Sequence, residues 1–169
     1  MVNNDILRRL RYALNITDLK VIELFKLADY EIARNELEGI FQKEGEPGYA
    51  ECDDAVVERF LEGLVISRRG KRAEGPAAEA AGRPRLSNND ILKRLRVALE
   101  LKDEDLVSIM ALAGAALSKS ELSALFRKEG HPNYRPCGDQ FLRNFLVGLT
   151  AKYRGYGLGL NGPPSRPEA

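Results

Sequence analysis

Apolar positions recur along this chain at spacings of three and four, and no segment alternates with period two over a useful length, which predicts helices and no strands. The first stripe is Ile6, Leu7, Leu10, Ala13 and Leu14. These fall on one arc at about 100° per residue, leaving Arg8, Arg11 and Tyr12 opposite, with Asn3 or Asn4 available as a cap. A second helix is read after Asp18 and is apolar over much of its circumference (Val21, Ile22, Leu24, Phe25, Leu27, Ala28), which marks it as the expected central helix. A third is expected to end at Gly45 with a lysine in its last turn. The fourth opens at Cys52-Asp53-Asp54 and carries Val56, Val57, Phe60, Leu61 and Leu64.

The same pattern then returns. Residues 3–70 align without a gap to residues 88–155, and 29 of the 68 aligned positions are identical. The openings Asn3-Asn4-Asp5-Ile6-Leu7 and Asn88-Asn89-Asp90-Ile91-Leu92 match. So do Lys43-Glu44-Gly45 and Lys128-Glu129-Gly130, and Phe60-Leu61 and Phe145-Leu146. Such self-similarity signals a repeated folding unit. The second copy adds a capping box, Ser118-x-x-Glu121. Residues 71–87 are rich in Ala, Gly and Pro and are read as a flexible linker, and residues 156–169 as a disordered tail.

The expected fold class is therefore all-α, with residues 1–70 and 88–155 as two homologous four-helix units. A unit this small buries little apolar surface alone. The two are expected to share an interface as a pseudo-two-fold intramolecular dimer. Phe60, Gly63, Leu64, Phe145, Gly148 and Leu149 are its candidate inter-repeat packing residues. Mid-helix Gly63 and Gly148 suggest close helix approach, because glycine there costs about 1 kcal/mol relative to alanine.

Composition narrows the chemistry. The chain has 169 residues, 44% hydrophobic and 30% charged, and no apolar run of the roughly 18 residues a membrane span needs. Its amino end lacks the apolar region of a secretory signal, so a cytoplasmic location and no membrane association are expected. Two cysteines and one histidine supply neither a disulfide framework nor enough soft ligands for zinc; no metal or cofactor is expected. Cys52 and Cys137 are read as buried small side chains, since the acidic Asp53 and Asp54 disfavour a thiolate. His131, in a loop, is the one histidine available as a base. With no phosphate loop, nucleophile elbow or zinc-protease motif, the chain is not expected to be an enzyme.

Net charge is +1 for the whole chain, but −4 for residues 3–70 and +3 for residues 88–155. Arg8, Arg9 and Arg11, with Lys93, Arg94 and Arg96, place cations on the first helix of each copy. These and Lys119, Arg127 and Lys128 are the candidate nucleic-acid contacts, because phosphate binding needs cations on one face. The alternative is that the cations only complement helix dipoles and keep the surface soluble.

The Asn-Asn-Asp-Ile-Leu openings, the Lys-Glu-Gly-x-Pro-x-Tyr-x-x-Cys-x-Asp segments from Lys43 and Lys128, and the run from Cys137 to Leu146 resemble the bacterial YehS-like family. That family is a tandemly duplicated domain of unknown function, and the resemblance implies no catalytic residues. A second similarity, to helix-turn-helix repressors, lies in the order of Leu95-Arg96, Leu106, Gly114, Leu117-Ser118 and Leu122. The turn is two residues longer than the repressor arrangement, and Asp29 stands in the first copy where Gly114 stands in the second. The reading face would be Lys119, Ser120, Ser123, Arg127 and Lys128, against Arg34, Asn35, Glu38, Gln42 and Lys43 in the first copy. The expected function is a non-enzymatic helical binding protein with DNA or RNA as partner. The alternative is a protein–protein interaction adaptor using apolar helix faces.

Overall fold

A computed structural model describes residues 1–70 and 85–155. The expected linker, apart from residues 85–87, and the expected tail lie outside the described residues. Eight helices follow in order: α1 (Asn3–Ala13), α2 (Asp18–Leu27), α3 (Arg34–Phe41), α4 (Asp54–Arg69), α5 (Asn88–Ala98), α6 (Asp103–Leu112), α7 (Lys119–Phe126) and α8 (Asp139–Arg154). Among the described residues there is no strand, so the protein is all-α and consists of two homologous four-helix repeats.

The helices start where the chain can satisfy its first N–H groups. Thr17 accepts from Lys20 N (3.2 Å), Asp53 from Val56 N (2.9 Å) and Ser87 from Asp90 N (3.1 Å). The expectation that Asn3 or Asn4 caps the first helix is corrected: both are inside α1 and reach elsewhere. The third helices also end earlier than expected, at Phe41 and Phe126. Lys43 and Lys128 belong to the following turns, where Gly45 (φ +88°) and Gly130 (φ +92°) take left-handed backbone.

The chain divides into two compact units, and they are not the sequence repeats. One gathers Met1–Arg8 with the described residues of Thr17–Leu99; the other gathers Arg9–Ile16 with the described residues from Glu100 onward. The first helix of each copy thus contributes to a core with the other copy. In unit 1, α5 of the second repeat packs on α4 of the first. A small helical repeat gains apolar burial this way that it could not supply alone.

Unit 1 is built around α4, which lies against both α2 and α5. In unit 1 the sequence reading is corrected, since α4 rather than α2 packs on two helices; in unit 2 it is α6, the counterpart of α2, that does so. Phe60 of α4 meets Phe25 of α2 with ring centroids 6.0 Å apart, and Tyr30 meets Phe25 at 5.4 Å. Leu24, Leu37, Ile40, Leu61, Ile91, Leu92 and Leu95 are among the other buried side chains. In unit 2, α8 packs on α6, and α6 on α7, around Leu106, Ile109, Leu122, Leu142, Phe145 and Leu149.

Gly63 and Gly148 do mark close helix approach, but within a repeat and not between repeats. A Cβ on Gly63 would stand 1.9 Å from the Leu24 carbonyl oxygen, and one on Gly148 2.0 Å from that of Ile109. The glycines let α4 and α8 press directly onto the backbones of α2 and α6.

Candidate functional site

α7 and the loop after it carry the exposed cations Lys119, Lys128 and Arg135. After Leu112 the chain turns through Gly114, whose φ of +72° is left-handed, and Ala115 N donates to Met110 O at 2.9 Å to close the helix end. Asp29, at the equivalent position, takes the same conformation (φ +54°). Asp29 therefore preserves the turn that glycine makes in the second copy, since aspartate tolerates the left-handed region better than most side chains.

Ser118 then starts α7. Glu121 N donates to Ser118 Oγ (3.2 Å), while Ser118 N donates to Glu121 Oε2 (2.9 Å). The Ser118 N–H first, then the Ser118 hydroxyl donating to Glu121 Oε2 (3.0 Å) and Arg135 Nη1 3.3 Å from Glu121 Oε1, hold the Glu121 carboxyl below the usual glutamate range. Leu122 and Leu125 turn inward. Lys119, Ser120, Ser123 and Lys128 are exposed, and Arg127 is half-buried.

Beyond α7 the loop is ordered by His131. Its Nδ1 accepts from Asn133 N at 3.0 Å, its backbone N donates to Lys128 O at 3.0 Å, and the Arg127 guanidinium lies 3.4 Å from Nε2. Lys119, Arg127, Lys128 and Arg135 therefore share one helix and the loop after it. The matching stretch of the first repeat is different. There Arg34 is paired with Glu38 at 3.3 Å, and Lys43 N donates to Glu46 Oε2 at 2.7 Å. No side chain caps α3.

The cations expected on the first helices behave otherwise. Arg8, Arg11, Lys93, Arg94 and Arg96 are half-buried, and Arg9 is exposed. Arg8 is paired with Asp5, and Arg94 reaches Glu58 on α4 at 3.4 Å. On α5 the arc read as solvent-facing is partly covered because this helix packs on α4, which the periodicity of an isolated helix cannot reveal. The structure also separates these residues. Arg8, Lys93, Arg94 and Arg96 belong to unit 1, whereas Arg9 and Arg11 share unit 2 with Lys119, Arg127 and Lys128.

The cysteines are structural in their surroundings. Both are buried, and burial first, then the neighbouring carboxylates, pushes each thiol up to about 12. Beside Cys52 lies a network that the sequence reading missed. Asn4, 2% exposed, donates to Ile40 O (3.0 Å) and Ala50 O (2.8 Å), and accepts from Cys52 N (3.0 Å) and Tyr49 OH (3.3 Å). Asn3 donates to Cys52 O (3.2 Å) and Asp54 Oδ1 (2.8 Å). The recurrence of Asn-Asn-Asp was the available signal, and Asn89 is likewise buried. Among the described residues no group of three or more His, Cys, Asp or Glu side chains could hold a metal, and no helix is long and apolar enough to cross a membrane.

Comparison with known proteins agrees with the duplication. The family described as "Protein of unknown function (DUF1456)" matches residues 3–70 and again residues 88–155. The chain is 39% identical over 152 residues, covering 90% of it and 96% of the relative, to the "Uncharacterized protein YehS" of Escherichia coli (strain K12). No solved structure matches.

Proposed function

The chain belongs to the DUF1456 family, and from that premise we propose that it is a non-enzymatic binding protein that holds nucleic acid against the basic surface of its second unit. The observation that carries the reading is the outward set of Lys119, Ser120 and Ser123 on a helix entered through a tight left-handed turn and a capping box, with exposed Lys128 in the turn that follows it. Lysine supplies phosphate contacts, and serine hydroxyls can bond phosphate or base edges. The charge balance supports the same unit, since residues 9–16 and 100–155 hold ten Lys and Arg against seven Asp and Glu, net +3.

Fluorescence anisotropy of the full chain with labelled duplex DNA and with RNA, across a salt series, tests this. If roughly six phosphates are contacted on duplex DNA, log affinity falls with log salt at a slope of about −5. Lys119→Glu and Lys128→Glu should each weaken binding and flatten that slope by about one to two. No binding of either nucleic acid at low salt would overturn the reading.

A further inference from the structure

His131 is the single histidine of the chain, and its ring is approached by two donors. The backbone N–H of Asn133 points at Nδ1 from 3.0 Å, and Arg127 Nη1 lies 3.4 Å from Nε2. A neutral imidazole has one acceptor nitrogen and an imidazolium has none, so no protonation state satisfies both neighbours. The shorter bond comes from the backbone, which cannot turn away, and it claims the lone pair of Nδ1. The ring proton then sits on Nε2 and faces the Arg127 guanidinium, donor against donor. Among the described residues no carboxylate pairs with Arg127, although it is half-buried. Glu121, the one carboxylate of α7, is engaged by Ser118 and Arg135. A single acceptor bonded to both Nε2–H and Arg127 would resolve the opposition.

The first repeat carries different chemistry at the same place. The ungapped alignment sets Gln42 against Arg127 and Glu46 against His131. There the loop supplies its own anion, since Glu46 Oε2 accepts from Lys43 N at 2.7 Å. The second repeat keeps the turn, with Gly45 and Gly130 both left-handed, but replaces the carboxylate by an imidazole and the amide by a guanidinium. We propose that Arg127 and His131 form a phosphate-binding site, in which one phosphate oxygen accepts from His131 Nε2 and Arg127 Nη1 together. Water also accepts from two donors, but it leaves the guanidinium charge unpaired; phosphate supplies both the acceptor and the counter-charge. The guanidinium stays charged at physiological pH, and its other N–H groups match a second phosphate oxygen. Exposed Lys128, whose carbonyl accepts from His131 N at 3.0 Å, adds a cation at the same turn. That the phosphate comes from a nucleic-acid backbone rests on the reading above; the site itself does not.

Inorganic phosphate is the probe, added to the full chain at constant ionic strength and mildly alkaline pH. Because there is one histidine, nitrogen NMR follows its two ring nitrogens without ambiguity. The proton should sit on Nε2 before phosphate is added, and the Nε2 signal should then shift saturably. Arg127→Gln and His131→Glu install the first-repeat residues, which the same turn already accommodates. Each should weaken phosphate affinity roughly tenfold, read from the dependence of Tm on phosphate. A proton on Nδ1, no phosphate response in the wild type, or an equal response in all three proteins overturns the site. Titration of labelled DNA with the same proteins separates the site from its source. Phosphate response lost in both variants, with DNA affinity also reduced, supports the site and its nucleic-acid source. The same phosphate result with a wild type that binds no nucleic acid, or with equal DNA affinity in all three, leaves the site standing and removes the source.

Discussion

The α-carbon of Gly63 faces the backbone carbonyl of Leu24 so closely that a single added methyl would stand 1.9 Å from the oxygen. Replacing glycine by alanine inside a helix ordinarily stabilises by about 1 kcal/mol. Here the methyl has to push one helix off another. Gly63→Ala, and Gly148→Ala against Ile109, should each lower unfolding stability by about 3 kcal/mol, measured by denaturant titration. An unchanged midpoint would show that the helices separate freely.

From a buried position Asn4 satisfies two carbonyls and one backbone N–H. Asn4→Ala leaves those groups without that partner, and each such loss costs about 1–3 kcal/mol. We expect a loss of about 3 kcal/mol in chemical unfolding. Asn4→Asp should also destabilise at neutral pH, because a carboxylate cannot donate to Ile40 O and Ala50 O. Wild-type stability in either variant would contradict the role assigned to the amide.

Cys52 and Cys137 should react slowly with a thiol reagent at pH 7 in the native state and rapidly after unfolding. Their thiols sit at about 12 in the fold, above the ordinary 9. Because the folded state holds these protons more tightly than the unfolded one, their contribution to stability is complete below pH 9 and is lost as pH rises toward 12. Unfolding curves of wild type and of a Cys52→Ala, Cys137→Ala double variant should therefore converge differently with alkaline pH. Parallel curves from pH 8 to 11 would rule the thiols out as the cause.

The Arg94–Glu58 pair crosses from one repeat to the other and is less exposed than most surface ion pairs, at 30% and 27%. A double-mutant cycle with Arg94→Gln and Glu58→Gln should give a coupling of about 1 kcal/mol that shrinks in high salt. Zero coupling would reduce the pair to an incidental contact.

Much of this was readable beforehand because local rules and the tertiary fold agree. The stripes at Ile6, Leu7 and Leu10, and at Phe60, Leu61 and Leu64, are buried as their spacing required. Ser118 and Glu121 cap α7 as their separation implied. The buried character of Cys52 and Cys137 also followed from their neighbours. The Asn3 and Asn4 reading failed for a definite reason. Asparagine beside a helix start satisfies the same local rule whether it caps that helix or reaches across to a loop, and only the position of Ile40, Ala50 and Cys52 distinguishes the two. Of the candidate contacts, Lys119 and Lys128 are exposed as read, while Arg8 and Arg94 are engaged by Asp5 and Glu58.

Helix content, the duplication and its register belong to the amino-acid order itself, because periodicity and repetition are properties of neighbouring residues along the chain. Which helices share a core was decided only in three dimensions. The packing of α5 on α4, the seating of Gly63 on Leu24 and of Gly148 on Ile109, and the Arg94–Glu58 pair depend on contacts between residues far apart in the chain. A helical stripe records that a face is buried; what buries it is set by the partner that recovers the most apolar surface.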